Sequence, residues 1–124
     1  MNQIVATLLI AGLLPIICAG IAKWRAADYN NHQPRAWLGL QEDWRAPANA
    51  AQQNSFEAFP LFAAGTLLAL VSGTDVSTIA TTCWVFVIAR ILYVYCYVTD
   101  KATLRSIVWL VGLIAAVRLY LLAI

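Results

Sequence analysis

Four long apolar stretches constrain the fold of this chain more than any other feature of its sequence. They run roughly over residues 4–22, 48–71, 76–98 and 103–123, and a helix needs about 20 mostly apolar residues to cross a bilayer. Of the 124 residues, 62% are hydrophobic and only 11% are charged, which argues against an ordinary soluble domain. We therefore predict an all-α membrane protein in which residues 1–124 form a single domain, a four-transmembrane-helix bundle.

The first connection between the apolar stretches is long and polar. We predict that residues 26–44 form a loop rather than a span. Trp37 and Trp44 place this loop at the level of the lipid headgroups, where tryptophan is enriched. Asp43 is suited to cap the helix that follows.

The two remaining connections are short, and the charges of all three predict an orientation. Residues 72–75 form a predicted tight turn, and residues 99–101 form the third connection, with Asp100 as a candidate helix cap. Lysine and arginine occur in or beside the first and third connections and are absent from the second. They are Lys23, Arg25, Arg35, Arg45, Lys101 and Arg105. The positive-inside rule therefore predicts that the first and third connections are cytoplasmic and that both termini face outward.

Polar side chains inside the predicted spans share one half of the membrane. Asn54 and Glu57 are three residues apart and therefore lie on one face of the second span. The third span carries an arginine and two tyrosines at spacings of three and four, and Arg90 is the deepest, about 10–12 Å from the end of the span. The fourth span begins on the same side. The full set is Asn54, Glu57, Arg90, Tyr93, Tyr97, Arg105, Ser106 and Trp109.

This convergence of three spans predicts a pocket, because charged residues within spans are costly and are usually functional. Arginine binds carboxylates in a bidentate manner, Glu57 can accept an ammonium group, and Asn54 can pair with an amide. The pocket suits a small zwitterionic or anionic ligand with peptide-like groups, and an apolar substrate could enter from the lipid. Simpler interpretations are an ion pair between Glu57 and Arg90 that joins helices, an ordinary interfacial anchor at Arg105, and a packing role for Trp109.

The other chemically distinctive residues predict no further site. Cys18, Cys83 and Cys96 lie in apolar stretches without C-x-x-C spacing, which predicts buried free thiols rather than disulfides or metal ligands. His32 lies in the polar loop, where a solvated side chain is expected. Arg118 lies near the outer surface, on roughly the opposite face from the polar set, where it can extend to the surface or pair with a neighbouring chain. Lysine and arginine do not cluster, which gives little support to nucleic-acid binding.

Two stretches of the chain resemble the MAPEG family, the membrane-associated proteins of eicosanoid and glutathione metabolism. AAQQNSFEAFPLF, residues 50–62, is similar to the second-helix motif of the family, which is roughly R-A-x-x-N-x-x-E followed by P-x-F. ARILYVYCYVTDKATLRSIVW, residues 89–109, resembles the third and fourth helices, including the arginine, the aromatic residue three later, the tyrosine four beyond it and the Arg-Ser pair. The long first loop with Pro34 and Arg35 resembles the bacterial branch.

This resemblance implies a homotrimer in the bacterial inner membrane, with glutathione as co-substrate in clefts between subunits near the cytoplasmic face. Arg105 would be the catalytic residue, holding the thiol of glutathione as the nucleophilic thiolate. A lipophilic substrate from the bilayer would be attacked at an electrophilic carbon or a peroxide, as in a glutathione transferase or peroxidase. No metal is implied. The implied glutathione-binding residues are Asn54, Glu57, Arg90, Tyr93, Tyr97 and Ser106.

The chain departs from the family pattern at three positions. Ala50 stands where the motif has an arginine, and Ala58 stands where the leukotriene-synthase branch has a tyrosine. Trp109 replaces a tyrosine. Lys23 or Arg35 could supply the missing cation.

Three functions are therefore open from the sequence. The retained Arg105–Ser106 pair favours a glutathione-dependent enzyme, whereas Ala50 and Ala58 favour a non-catalytic protein with a binding or structural role. A small multidrug transporter also has four short spans, but such transporters usually carry an essential carboxylate in the first helix. Here the first span has no charge before Lys23, which makes a transporter the least favoured of the three.

Overall fold

The computed structural model describes all 124 residues and is entirely helical. Four helices are long and apolar enough to cross a membrane, which confirms the four predicted spans. A short fifth helix, α2, lies in the first connection. The helices are α1 (Asn2–Lys23), α2 (Pro34–Gly39), α3 (Arg45–Val71), α4 (Val76–Val98) and α5 (Ala102–Leu121).

Helix α4 is the centre of the bundle, since it packs against α1, α3 and α5 and buries the largest share of its residues. Small residues allow the close approach, as is usual where lipid provides no hydrophobic drive for helices to associate. Alanines form much of the core, among them Ala11, Ala69, Ala80, Ala115 and Ala116. The outer faces of α1, α3 and α5 carry exposed large apolar side chains, which suit contact with lipid or with another protein.

Buried aromatic rings pack α3 against α4, and buried hydroxyl groups form hydrogen bonds within their own helices. The rings of Phe62 in α3 and Phe86 in α4 stack with centroids 4.0 Å apart and planes inclined by 4°. The hydroxyl of Thr66 donates to the backbone carbonyl of Phe62 at 2.8 Å, and the hydroxyl of Thr82 donates to the backbone carbonyl of Thr78 at 2.9 Å, each within its own helix. These polar side chains can therefore be buried without leaving an unpaired donor.

The two ends of the bundle are distinct. At one end, a small cluster of Ala22, Trp37, Leu38 and Ala48 joins the end of α1, helix α2 and the start of α3, with Val98 of α4 packed against it. At the other end, the hydroxyl of Thr74 in the second connection donates to the carbonyl of Leu122 at 2.6 Å. The first and third connections therefore share one end, here called the polar end, and the second connection shares the opposite end with the C-terminus.

Two local predictions are wrong. Residues 26–44 are not all loop, because Pro34 occupies the start of α2. The placement of this loop at the headgroup level stays a prediction; within the chain, the Trp37 side chain is 7% exposed and its indole N–H donates to Asp28 at 3.2 Å. Asp100 does not cap α5, since its φ of 54° directs the chain through a left-handed turn and Lys101 precedes the helix without a side-chain cap.

The prediction for Asp43 is close to the structure. Its Oδ1 atom accepts a hydrogen bond from the backbone N–H of Arg45, the first residue of α3, at 2.9 Å. Its other oxygen forms an ion pair with the Arg45 side chain. Asp43 therefore stabilises the start of α3, although Trp44 is the residue that directly precedes the helix.

Candidate functional site

Arg90 of α4 is the most buried charged side chain of the protein, with 3% of its surface exposed. Its Nη2 atom donates to the Asn54 side-chain oxygen at 2.9 Å and lies 3.3 Å from the Ser55 hydroxyl oxygen. Its guanidinium carbon lies 4.2 Å from the centroid of the Tyr93 ring, within the range of a cation–π contact. The Nε atom is buried and has no hydrogen-bond partner, so Arg90 retains unused donor capacity.

Glu57 is not paired with Arg90. The ion pair of the protein joins Arg45 and Asp43, and no carboxylate lies within ion-pair distance of Arg90. Glu57 is exposed, and its contact is a 3.5 Å hydrogen bond from the Asn54 amide, at the long limit for such a bond. The interpretation of Glu57 and Arg90 as a helix-joining ion pair is therefore wrong.

A second cation lies at the end of an aromatic series that begins with Arg90. The rings of Tyr93 and Tyr97 meet edge to face with centroids 5.4 Å apart. The guanidinium carbon of Arg105, in the first turn of α5, lies 4.2 Å from the Tyr97 ring centroid. Two arginines from two helices are thus held by two tyrosines one turn apart on α4. Neither arginine has a carboxylate partner.

Two cavities open along this series. The first, of about 180 Å³, lies between α3 and α5 with α4 beneath it. Its lining residues are Asn54, Glu57, Ala58, Leu61, Phe86, Arg90, Trp109, Gly112, Leu113 and Ala116. The second, of about 480 Å³, is nearer the polar end and is lined by Tyr93, Tyr97, Arg105, Ser106, Trp109 and Leu110. Trp109 lines both cavities, so the two are neighbours.

Each site residue predicted from the sequence lies in one of these cavities. The amide, carboxylate and deep arginine line the first cavity, while the tyrosines, Arg105 and Ser106 line the second. Sequence reasoning missed Ser55, which is 3% exposed and contributes to holding Arg90. Its position beside Asn54 in the N-S-x-E stretch was the available signal, but a serine in a span is usually bonded to its own helix, as the hydroxyl of Ser55 also is.

The residues that were set aside as unlikely site members lie elsewhere. His32 is exposed in the first connection, and Arg118 is exposed towards the end of α5. The three cysteines are free and buried, as predicted. Tyr95, which lies two residues from both Tyr93 and Tyr97 and therefore on another face of α4, is 55% exposed.

The candidate replacement cations also lie outside these two cavities. Arg35 lines a separate groove of about 430 Å³ between α2 and the first turns of α3, whose other lining residues are Leu38, Gly39, Asn49, Gln52, Gln53 and Phe56. This groove shares no residue with either cavity of the site. The ammonium group of Lys23 lies 4.7 Å from the Tyr29 ring centroid.

The arrangement can bind a ligand that carries both signs of charge. Arg90 and Arg105 offer two cationic groups without ion-pair partners, and Glu57 offers one carboxylate. Asn54 offers an amide beside them. Glutathione, which the family resemblance implies, carries carboxylates, an ammonium group and amides, and these are the groups that such side chains bind.

Comparison with known proteins identifies the family of this chain. The model of the MAPEG family matches residues 4–124, nearly the whole chain. A search of curated proteins finds no match. Members of this family are membrane proteins of glutathione-related or eicosanoid metabolism. The chain therefore belongs to the MAPEG family and is an integral, multi-pass membrane protein.

Proposed function

We propose that this protein is a glutathione-dependent membrane enzyme that transfers glutathione to lipophilic electrophiles or reduces lipophilic hydroperoxides. The observation that carries the proposal is the convergence of Arg90, Glu57 and Arg105 along two adjoining cavities without ion pairs among them. Buried arginines that serve only structure are normally paired with a carboxylate.

In the proposed complex, glutathione extends along the aromatic series of α4. Arg90 binds a carboxylate of the tripeptide, Glu57 receives its ammonium group, and Asn54 pairs with an amide. Tyr93, Tyr97 and Ser106 offer hydroxyl groups along the same path. These contacts use side chains from α3, α4 and α5, so the bound tripeptide would also hold the three helices in register.

Arg105 is the proposed catalytic residue because a guanidinium near a thiol favours the thiolate. Its lack of a carboxylate partner leaves its charge available for this purpose. For a halogenated aromatic substrate, the thiolate sulfur forms a bond to the ring carbon, the carbon–halogen bond breaks, and halide leaves. For a hydroperoxide, two glutathione molecules give up two electrons and two protons, which yields the disulfide, an alcohol and water.

The exposure of Glu57 supports assembly with further copies of the chain. A carboxylate that faced lipid from within a span would cost about 2.5–3.5 kcal/mol. Members of the family generally form trimers. We propose a homotrimer in which a neighbouring subunit covers the cavities and completes the glutathione site.

Isothermal titration calorimetry of the detergent-purified protein with glutathione tests the proposal, with Glu57→Gln and Arg105→Ala as variants. We expect saturable binding to the wild type and an affinity about 10- to 150-fold lower for Glu57→Gln, because a charge-assisted hydrogen bond contributes about 1.5–3 kcal/mol. Arg105→Ala should in addition raise the pKa of the bound thiol, seen in the ultraviolet absorbance of the thiolate. Activity is then measured with 1-chloro-2,4-dinitrobenzene and with cumene hydroperoxide.

The result that would contradict the proposal is the absence of glutathione binding at millimolar concentration. Binding without turnover of either compound would favour the second function, a non-catalytic member of the family. That alternative is supported by Ala50, since the arginine of the family motif is missing there.

A further inference from the structure

The lining of the first cavity changes from polar to apolar along its length. Its end nearest the polar end of the bundle carries Asn54, Glu57 and Arg90. Further into the bundle its walls are Leu61 of α3, Phe86 of α4 and the α5 residues Leu113 and Ala116. The charged groups therefore occupy one end, and an apolar chamber continues beyond them, away from the polar end.

The apolar chamber is closed at its inner end, where α3 and α5 come into contact. An added Cβ at Gly65 would lie 2.7 Å from the Tyr120 ring and 3.1 Å from Cβ of Leu119, so the two helices approach closely there. The Tyr120 hydroxyl donates to the carbonyl of Leu61 at 3.0 Å, which holds the contact one turn beyond the chamber. A ligand cannot extend further along the α3–α5 contact without breaking this contact.

The wall formed by α4 is also fixed. Phe86 is 3% exposed, and its ring stacks on that of Phe62, which is fully buried. Rotation of Phe86 would disrupt this stacking in the main core, so the chamber does not lengthen on this side.

The volume of the cavity indicates the size of its ligand. The whole cavity measures about 180 Å³ with its polar end included, so the apolar chamber is smaller than this. An apolar cavity of about 150 Å³ holds one benzene molecule, whereas sites for drug-sized ligands measure about 300–1,000 Å³. We propose that the apolar chamber receives the single-ring apolar part of a compact electrophile, and that Ala58 sets this size limit. The inference rests on the proposed function for the identity of the nucleophile.

Ala58 is the residue of the wall whose replacement changes the space most directly. It is half-buried, directly follows Glu57, and lines the cavity from α3 opposite Gly112 and Ala116 of α5. Its methyl group leaves open the volume that a larger side chain would fill. An aromatic or branched side chain at position 58 would occupy the chamber, while the arginines and Glu57 would keep their positions.

The test uses a phenyl trifluoromethyl diazirine, a single-ring apolar photolabel, on the full-length protein in detergent, followed by mass spectrometry. We expect labelling concentrated on the peptides that contain Leu61 and Leu113 and suppressed by excess toluene. Ala58→Leu should lower this labelling about tenfold, because a few methylenes in a fitted pocket carry discrimination of that order. The matched control is Ala64→Leu, the same change at an exposed position of α3 outside the cavities.

In the wild type, labelling that is spread evenly over the exposed apolar faces and is insensitive to toluene would overturn the inference. This outcome does not depend on the folding of any variant. Equal effects of Ala58→Leu and Ala64→Leu would also overturn it. Glutathione calorimetry on the same samples separates the two proposals. Focused labelling without glutathione binding would contradict the proposed function but support the ring-sized chamber. Glutathione binding with diffuse labelling would support the proposed function and contradict the chamber.

Substrate selectivity gives a second readout once turnover is established. The wild type should prefer 1-chloro-2,4-dinitrobenzene to an alkenal with a long unbranched chain. Ala58→Leu should lower kcat/KM for the aromatic substrate about tenfold with unchanged glutathione affinity. A wild type that prefers the long-chain alkenal would contradict the size limit.

Discussion

Three cations near the polar end differ in how free they are to act on a ligand. Arg45 is paired with Asp43, and Lys23 lies over the Tyr29 ring. Arg35 is exposed and has no carboxylate within ion-pair distance. Of these three, Arg35 is the best candidate to replace the arginine that the family motif has at the position of Ala50. Because its groove is separate from the cavities of its own chain, Arg35 would act on the site of a neighbouring copy in the proposed trimer.

We therefore expect Arg35→Ala to weaken glutathione binding about tenfold, the effect of losing one charge-assisted hydrogen bond. The measurement is calorimetry at fixed ionic strength, since exposed charges are screened by salt. Arg118→Ala is the matched control, because Arg118 is also an exposed arginine but lies towards the opposite end of the bundle. Equal affinities for Arg35→Ala and wild type would show that Arg35 does not replace the missing cation.

At the residue level, the sequence predicted which side chains share a face but not which of them pair. The spacing of three residues placed Asn54 and Glu57 on one face of α3. Counting residues from the end of the third span placed Arg90 at a similar depth in the membrane. The rotation of α3 relative to α4 decides whether the arginine meets the carboxylate or the amide, and helix periodicity carries no information on that rotation. In the structure, Asn54 and Ser55 receive the hydrogen bonds of Arg90, and Glu57 is exposed.

At the level of helices, the contact of α3 with α5 depends on Gly65. We expect Gly65→Val to lower the free energy of unfolding by about 1–3 kcal/mol, because overpacking forces Tyr120 and Leu119 to move. Thermal unfolding in detergent, followed by circular dichroism, measures the change. Gly20→Val is the control, since nothing lies within 4 Å of an added Cβ at that position in α1. Equal losses at the two positions would indicate a general cost of valine in these helices.

The start of α4 gives a pH-dependent prediction. The backbone N–H and the hydroxyl of Thr78 donate to Asp75 Oδ2 at 2.9 and 3.0 Å, which lowers the pKa of this carboxyl below its usual 3.8. A carboxyl with a lowered folded-state pKa stabilises the fold above its unfolded-state pKa, and this contribution is lost as the pH falls through the folded-state value. Asp75→Ala should therefore reduce Tm at neutral pH, and its difference from wild type should shrink below pH 3.8.

Asp75→Asn is the control for that experiment. Asparagine also caps helices but cannot be protonated in this range, so its Tm should not show the additional loss at low pH. The measurement is Tm of the three proteins in detergent at a series of pH values. A difference between Asp75→Ala and wild type that stays constant with pH would mean that the charge of Asp75 does not contribute.

The helices themselves were well predicted, whereas the first connection was not. The spans followed from apolar length, which the membrane imposes on any spanning helix. Helix α2 has only six residues, too short for periodicity to distinguish it from a loop. Trp37 is a second feature of the first connection that was incompletely predicted. Its burial within the chain was not predicted, because it depends on Asp28, which accepts the indole N–H, and on the neighbouring residues of α1 and α3.

At the level of the whole molecule, the exposed polar face between α3 and α5 predicts association. We expect native mass spectrometry in mild detergent to detect a trimer of the 13.6 kDa chain. The double variant Asn54→Leu with Glu57→Leu should lose glutathione binding, because these two residues are proposed to bind the ligand. A monomeric wild type with full glutathione affinity would contradict both the trimer and the intersubunit site.

The orientation in the membrane can be tested by cysteine labelling, because the three native cysteines are buried and should not react. Cys18 and Cys83 are 0% exposed and Cys96 is 1% exposed, so a single new cysteine reports its own side. We expect Ser72→Cys, in the second connection, to react with a membrane-impermeant maleimide in intact cells, and Asn31→Cys, in the first, to react only after permeabilisation. Both positions are exposed in the structure. The reverse pattern would contradict the positive-inside prediction. It would also direct the cavity lined by Tyr97 and Arg105 away from the reducing cytoplasm, where thiols such as glutathione are maintained in the reduced form that the proposed chemistry requires.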